Sequence, residues 1–237
     1  VSALTHARNA TQSDPQFRPI LARLLTQLGQ YQAARGIYQQ LIQDSINALG
    51  HEMALADLMF KQCQYDQAGT LLGGLIEKYP QDSRPCIALA LLLDRRDPAK
   101  AIDLLTSHVD RFSDDAEFRI ALARFLIKAG QPRKAVEQLD PVLTGMERQI
   151  TTMRAQGRSA EELAQTQRRM IPLEIELALA HLLADNNQIA LEMARKVGQR
   201  EKAGNTEAIL IESLANLRLD RLDQARQALQ TPIQADD

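Results

Sequence analysis

The sequence predicts an all-α protein in which helical hairpins stack side by side as a solenoid. Three observations lead to this prediction: a motif that recurs about every 34 residues, apolar residues at helical spacing on both sides of the motif, and few aromatic residues. Aromatic residues make up 4% of the 237 residues and Trp is absent, so the composition typical of β-sheet proteins is missing.

Charge and hydrophobicity exclude several classes of protein. With 28 basic and 30 acidic residues the formal net charge is -2, which argues against a surface built for nucleic acid. No run approaches the roughly 20 consecutive apolar residues that a bilayer span needs, and the N-terminal residues do not resemble a targeting segment. We therefore expect no nucleic acid partner and no membrane contact by this segment.

Internal repetition is the strongest signal in the chain. Each copy has a polar turn followed by an alanine, and these alanines are 34, 33 and 34 residues apart in the first four copies. Two later copies are 35 residues apart, and the gap of 55 residues before them equals one period plus 21 inserted residues. The six alanines are Ala34, Ala68, Ala101, Ala135, Ala190 and Ala225.

Apolar residues on each side of the turn predict a pair of helices. Before the first turn, Leu21 and Leu25 share one helical face, and after it Ala34, Tyr38 and Leu41 share another. Each period therefore predicts a helical hairpin with a small residue where its two helices approach closely. Because a single hairpin cannot bury its apolar face, the copies are expected to stack.

These repeats resemble the tetratricopeptide repeat over roughly residues 15–231. The shared features are the 34-residue period, leucine and a small residue in the first helix, Tyr31 and Tyr65 in turns, alanine followed by a large residue in the second helix, and Pro80 near the end of a copy. The resemblance implies a right-handed α-solenoid that binds partners. The sequence departs from the family pattern by lacking Trp and by a third copy that is one residue short.

The repeat spacing also predicts the domain organisation. The sixth copy departs from the repeat pattern, because Glu212-Ser213 stands where leucine and alanine are expected, so its segment is predicted only as repeat-like. Because the chain starts and ends with a second helix, we expect a fragment of a longer array. The predicted segments are a second helix of a truncated repeat at 1–14, repeats at 15–48, 49–82, 83–115 and 116–143, a helical insertion at 144–170, a repeat at 171–205, and a repeat-like segment at 206–237.

The 21 inserted residues are expected to form a protruding helical hairpin. An apolar stripe continues beyond the fourth repeat, a turn follows at Gly157, and Ser159 with Glu162 is a capping-box signature for a new helix. Pro172 is expected to kink or interrupt that helix. The arginines of the hairpin are expected to form either a solvated rim or a surface for docking or self-association. They are Arg148, Arg154, Arg158, Arg168 and Arg169.

In the family that the chain resembles, the first helices line a concave groove. Carried over copy by copy, the resemblance places on that groove Arg23, Gln27, Asp57, Phe60, Lys61, Arg84, Leu91, Arg95, Arg124 and Lys128. Basic residues dominate this set, which predicts an acidic peptide or another anionic polymer as partner; an ordinary solvated helix surface is the alternative. Chaperone-binding members of the family hold a peptide carboxylate with a Lys and an Asn, and no Asn lies on these faces.

The sequence predicts no enzyme, no cofactor and no metal site. The four histidines fall in different repeats, and Cys63 and Cys86 form no CxxC pair, so a zinc site is not indicated. Gly73 and Gly74 lie within a predicted helix and no Lys follows them, so they do not form a phosphate-binding loop. The two thiols are expected to be free.

The predicted function is protein–protein interaction. Arginines outnumber lysines 21 to 7, and Gln and Ala are abundant, so the chain resembles arrays of bacterial exopolysaccharide-export machines of the cellulose and Pel types. Those arrays dock polymer-modifying enzymes in the periplasm. The resemblance implies a polysaccharide-modifying enzyme or a secretion component as partner, with the periplasm favoured over the cytoplasm. Two alternatives stay open: direct binding of an anionic or sugar polymer along the groove, and a cytoplasmic chaperone or assembly adaptor.

Overall fold

The computed structural model describes residues 17–44, 48–201 and 205–230. These residues form twelve α-helices and no β-strand, so the described part of the chain is all-α. The predicted truncated repeat at 1–14 lies outside the described residues. The helices are α1 (Arg18–Gln27), α2 (Tyr31–Asp44), α3 (Leu49–Lys61), α4 (Tyr65–Lys78), α5 (Arg84–Asp94), α6 (Pro98–Ser107), α7 (Ala116–Lys128), α8 (Pro132–Ala155), α9 (Ala160–Leu183), α10 (Asn187–Arg200), α11 (Thr206–Arg218) and α12 (Leu222–Leu229).

Contacts group the chain into two compact units, residues 1–101 and 102–237. Within the first unit, each helix from α1 to α5 packs against the next helix in the sequence. Within the second unit, each helix from α7 to α12 does the same. This packing of sequence neighbours is the stacked-hairpin arrangement that the repeats predict, and it confirms the predicted fold class.

Every repeat buries two small residues, one in each of its helices. The alanine of the second helix is at most 3% exposed in all six copies, and so is a small residue 12 positions before it, or 11 in the third copy. In the sixth copy the hydroxyl of Ser213 donates a hydrogen bond to the carbonyl oxygen of Ala225 over 3.2 Å. Ser213 therefore takes the place of the expected alanine without leaving its hydroxyl unpaired. The pairs are Ala22–Ala34, Ala56–Ala68, Ala90–Ala101, Ala123–Ala135, Ala178–Ala190 and Ser213–Ala225.

The turn between the two helices explains the short third copy. In the other five copies a residue with left-handed φ lies five positions before the buried alanine, as Gly130 does at φ 72°. The amide of Gln131 then donates to the carbonyl oxygen of Leu126 over 2.8 Å and closes the helix end. In the third copy the amide of Asp97 donates to the carbonyl oxygen of Leu93 over 2.8 Å, and that turn contains no left-handed residue. The residue missing from this copy is therefore the left-handed one.

The insertion lengthens two consecutive helices, α8 and α9. The predicted capping box is confirmed, because the hydroxyl of Ser159 accepts from the amide of Glu162 and the carboxylate of Glu162 accepts from the amide of Ser159. Helix α9 continues through Pro172, so of the two expected effects, a kink or an interruption, the interruption does not occur. Pro172 is exposed, and water can solvate the carbonyl that loses its amide partner.

Helix α9 is the centre of the second unit. It packs against α7, α8, α10 and α11. The side chains of Met170, Leu173 and Leu177 are at most 1% exposed. The predicted boundary between insertion and fifth repeat at residue 170 thus falls inside one helix, in which the arm of the hairpin and the first helix of the repeat are continuous.

The glycines inside α4 give a stability test. Apart from the adjacent residues and the nearby backbone of α4 itself, no described atom lies within 4 Å of a Cβ placed on Gly73 or Gly74, so close packing does not require either glycine. The Gly73→Ala/Gly74→Ala variant is expected to raise the free energy of unfolding by up to about 1 kcal/mol per residue, because alanine loses less backbone entropy than glycine. Urea unfolding followed by circular dichroism measures the change.

The opposite result is expected for Gly130→Ala. Its left-handed φ of 72° puts a Cβ in a strained position, which costs about 1 kcal/mol or more. A less stable Gly73→Ala/Gly74→Ala variant would contradict the open surroundings of these two glycines.

Candidate interaction surfaces

The predicted groove residues of the first unit lie on α1, α3 and α5 or at their ends, and all but the half-buried Phe60 are exposed. Two of the basic residues are paired with nearby carboxylates. Lys61 Nζ lies 2.7 Å from the carboxylate of Asp57, and Arg84 lies 2.6 Å from that of Asp82 and lowers the pKa of Asp82 by hydrogen bonding. The excess positive charge of this face is therefore smaller than the count of basic residues predicts.

Arg95 belongs to a cluster with two aromatic rings, which we call the arginine–aromatic cluster. The guanidinium carbon of Arg95 is 5.1 Å from the ring centre of Phe60 and 5.9 Å from that of Tyr65. The two rings meet edge to face at 5.4 Å. Arg96 lies 5.5 Å from the Tyr65 ring centre and pairs with Asp66 at 2.8 Å. The cluster joins the ends of α3 and α5 to the start of α4, and among the described contacts Arg95 has no carboxylate partner.

In the second unit the predicted groove residues Arg124 and Lys128 are exposed on α7. Arg124 reaches across to α9 and lies 2.5 Å from the carboxylate of Glu176, whose side chain is 10% exposed. A carboxylate this deeply buried needs a positively charged neighbour. Arg124 therefore stabilises the contact between α7 and α9, in addition to any contact that it makes with a partner.

The same helix positions carry leucines in the last two repeats, a feature that the sequence prediction missed. The residue after the small residue of the first helix is Arg23, Asp57, Leu91 and Arg124 in the first four copies, and Leu179 and Leu214 in the last two. On α11, Leu210, Leu214 and Leu217 are 49%, 48% and 45% exposed, and Leu183 at the end of α9 is 41% exposed. We call these four residues the leucine face. Their spacing was visible in the sequence, but the prediction stopped at the fourth copy.

Arg218 holds α11 beside the end of α9. Its guanidinium donates a hydrogen bond to the carbonyl oxygen of Leu182 and lies 3.3 Å from the carboxylate of Asp185. On the same side of α11, Ile211 and Ala215 are buried against residues of α9 and α10. One side of α11 is therefore packed while its leucines point outward.

The hairpin is packed inside and charged outside. Ile150 and Met170 are 6% and 1% exposed, and the hydroxyl of Thr166 lies 3.7 Å from the sulfur of Met153. All five insertion arginines are exposed, and one of them, Arg158, lies 3.4 Å from a carboxylate oxygen of Glu162.

A chain of ion pairs ties α10 to both long helices. The carboxylate of Glu174 on α9 is 1% exposed and accepts a hydrogen bond from Arg200 over 2.6 Å. Lys196 lies 3.5 Å from the same carboxylate and 2.8 Å from that of Glu147 on α8. The base of the hairpin is thus fixed to the fifth repeat through charged groups.

Metal ligands and membrane-spanning helices were looked for among the described residues. Among them, no group of three or more His, Cys, Asp or Glu is close enough to hold a metal ion. Within the same residues, no helix combines the length and the apolar character needed to cross a bilayer. Cys63 and Cys86 are free thiols, the first exposed and the second buried. These surfaces are suited to contact with a partner.

Comparison with known proteins decides the family. A model of the tetratricopeptide repeat matches residues 25–90 and 92–144, just over half of the chain. The chain belongs to the tetratricopeptide repeat family. No significant sequence match to a curated protein was found. The leucine face lies after the matched segments in the sequence. Within it, Leu214 occupies the same position of a first helix as Asp57 and Arg124 in the matched segments.

Solved structures show the same fold at low sequence identity. PilW, described as a widely conserved type IV pilus biogenesis factor, has 15% identity and a TM-score of 0.59, with 90% of this chain and 89% of PilW covered. A tetratricopeptide repeat protein from Parabacteroides merdae has 13% identity and a TM-score of 0.57, covering 97% and 84%. MamA from Desulfovibrio magneticus has 12% identity and a TM-score of 0.56, covering 75% and 89%.

The ion pairs at the base of the hairpin lead to a stability prediction. Arg200→Ala leaves the buried carboxylate of Glu174 without its closest partner, so the free energy of unfolding is expected to fall by roughly 3–5 kcal/mol. The matched control is Arg154→Ala, an exposed hairpin arginine whose loss should change stability by no more than about 0.5 kcal/mol. Equal effects of the two variants in urea unfolding would show that the buried pair does not stabilise the unit.

His181 on α9 makes stability depend on pH. The side chain is buried, and burial lowers the pKa of His181 below its usual value against a smaller opposite effect of Asp140. His181 is therefore protonated more readily in the unfolded chain than in the folded chain. Its contribution to the free energy of unfolding is complete above about pH 6.5, the usual pKa of histidine, and is lost as the pH decreases below that value. Urea midpoints between about pH 7.5 and about pH 5.5 are expected to fall less in His181→Gln than in the wild type. An identical decrease in both proteins would contradict this assignment.

Proposed function

We propose that this tetratricopeptide repeat protein is a non-catalytic scaffold that binds an acidic segment of a partner protein at the arginine–aromatic cluster. The observation that carries the proposal is the placement of Arg95 against the rings of Phe60 and Tyr65, 5.1 and 5.9 Å from their centres, with no carboxylate partner among the described contacts. A carboxylate of the partner would supply the missing charge.

The geometry suits binding because the rings restrict the guanidinium before the partner arrives. Cation–π contact holds Arg95 from one side and leaves its planar N–H groups for a carboxylate, which guanidinium binds in a two-point geometry. A side chain that is already ordered loses less entropy on binding. Arg23, exposed on another first helix of the same unit, adds positive charge for further acidic residues, and Lys61 would do so by exchanging its pairing with Asp57 for a carboxylate of the partner.

We further propose that the partner belongs to a bacterial exopolysaccharide secretion complex and is a polysaccharide-modifying enzyme or a secretion component in the periplasm. It rests on the arginine-rich composition and on the resemblance to arrays of the cellulose and Pel types. The five insertion arginines would then form a second docking surface for an acidic partner. Direct sugar binding is less favoured, because sugars stack on open aromatic faces and Arg95 lies against the ring of Phe60.

Charge reversal on the first unit tests the proposal. The Lys61→Glu/Arg95→Glu variant is expected to bind a labelled Glu-rich peptide at least about tenfold more weakly at low salt, since two attractive charges become repulsive. Its binding should also depend less on salt concentration. Fluorescence anisotropy measures the affinity, and circular dichroism checks that helicity is unchanged.

The control is Arg133→Glu/Lys134→Glu, two exposed basic residues in the first turn of a second helix, α8. It makes the same change in net charge away from the first helices and should leave peptide binding nearly intact. Equal weakening in both variants would mean that only overall charge matters, and unchanged binding in both would remove the proposed site.

A further inference from the structure

We propose that the arginine–aromatic cluster accepts two acidic residues of the partner, one at Arg95 and one at Arg96, and that the second of them displaces Asp66 from Arg96. This inference rests on the proposed function and deepens it, because it names what the partner segment must contain and which group of this chain it must replace. Asp66 is thereby an internal competitor for the site.

Two guanidinium groups lie beside one aromatic ring. The guanidinium carbons of Arg95 and Arg96 are 5.9 and 5.5 Å from the ring centre of Tyr65. The ring itself is held in place, because its hydroxyl donates to the sulfur of Cys63 over 3.5 Å and the ring of Phe60 meets it edge to face. Contact with a fixed ring restricts both guanidinium groups, so the second arginine is ordered for binding as well as the first.

The two arginines differ in their contact with carboxylates. Among the described contacts Arg95 has no carboxylate partner, whereas Nη1 of Arg96 donates to Oδ1 of Asp66 over 2.8 Å. Among the same contacts this is the one hydrogen bond between the two side chains. The remaining N–H groups of the Arg96 guanidinium can therefore receive a second carboxylate before the first has left.

The ion pair of Arg96 with Asp66 is easily exchanged. The two side chains are 60% and 89% exposed, and ion pairs this exposed contribute little to stability because water solvates both groups. Glu176, at 10% exposure, could not release Arg124 in the same way without becoming an unpaired buried charge. Asp66 also lies in the first turn of α4, where the helix dipole favours a carboxylate even without the arginine.

In its paired state Asp66 opposes the binding of an acidic segment in two ways. It occupies Arg96, and its negative charge repels an approaching carboxylate. A segment with one acidic residue gains only the contact with Arg95. A segment with two acidic residues close together gains the contact with Arg96 as well, and this second contact forms within a complex that already exists. The site therefore favours segments with at least two neighbouring acidic residues.

Removal of the competitor tests the proposal. Asp66→Asn is expected to bind the labelled Glu-rich peptide, acetylated and amidated at its ends, about twofold to fivefold more tightly at low salt. Fluorescence anisotropy measures the affinity, and circular dichroism checks that helicity is unchanged. The matched control is Asp44→Asn, which makes the same charge change and breaks an exposed ion pair with Arg18 in the same unit. Its affinity should stay nearly unchanged, and an equal increase in both variants would overturn the proposal.

A double-mutant cycle tests whether Asp66 acts through Arg96. Arg96→Gln is expected to weaken binding of the Glu-rich peptide at least about threefold, because the second contact is lost. In this variant Asp66→Asn should no longer raise the affinity, since there is no arginine left to release. Unchanged binding in Arg96→Gln would overturn the proposal. The same gain from Asp66→Asn with and without Arg96 would also overturn it, because Asp66 would then act by repulsion alone.

Nuclear magnetic resonance of the isotope-labelled chain observes the exchange directly. The side-chain N–H signal of Arg96, assigned with Arg96→Gln, is expected to shift when the Glu-rich peptide is added. A shift at Arg95 without one at Arg96 would show that the partner uses a single arginine, which overturns this proposal and leaves the proposed function standing. Absence of Glu-rich peptide binding by the wild type would remove both.

Discussion

The close approach of two helices at a pair of small residues is the constraint on which the rest of the molecule depends. In each repeat these residues, such as Ala22 and Ala34, are almost completely buried, and a larger side chain at either position would push the helices apart. Burial of the small residue also fixes the rotation of the first helix. The next residue in the sequence, Arg23 in the first copy and Leu214 in the sixth, is consequently turned to the open side.

The second unit adds a constraint of its own, because α9 buries two carboxylates within one turn. Glu174 and Glu176 face opposite flanks, and each is met by an arginine from a different helix, Arg200 and Arg124. Such pairs contribute little net stability compared with an apolar core, yet Glu176 without Arg124 would be an uncompensated buried charge, and Glu174 without Arg200 would keep only the more distant Lys196. They therefore disfavour arrangements in which α7 and α10 shift along α9, which keeps the long hairpin in register with the repeats.

The sequence allowed the hairpins and the capping box at Ser159 to be predicted, because both depend on residues only three to twelve positions apart. The charge of the candidate groove was harder to predict. Arg124 and its partner Glu176 are 52 residues apart, across the insertion, and nothing local to either residue indicates the pair. Helix α9 also continues through Pro172, where the local signal was for a kink or an interruption, and Leu173 and Leu177, which follow the proline, are buried.

Both candidate surfaces occupy the same register of the first helices, yet their chemistry differs. The small residue must stay buried to hold the hairpin together, whereas the residue after it differs between copies, and in the fourth copy it is Arg124, which pairs with a buried carboxylate. The chemistry also differs towards the ends of the first helices, where Arg95 lies against two aromatic rings in the first unit and Leu217 is exposed on α11 in the second. A repeat scaffold of this kind can therefore change its surface chemistry from one unit to the next without changing its fold, because the residue that builds the hairpin and the next residue in the sequence are about 100° apart around the helix.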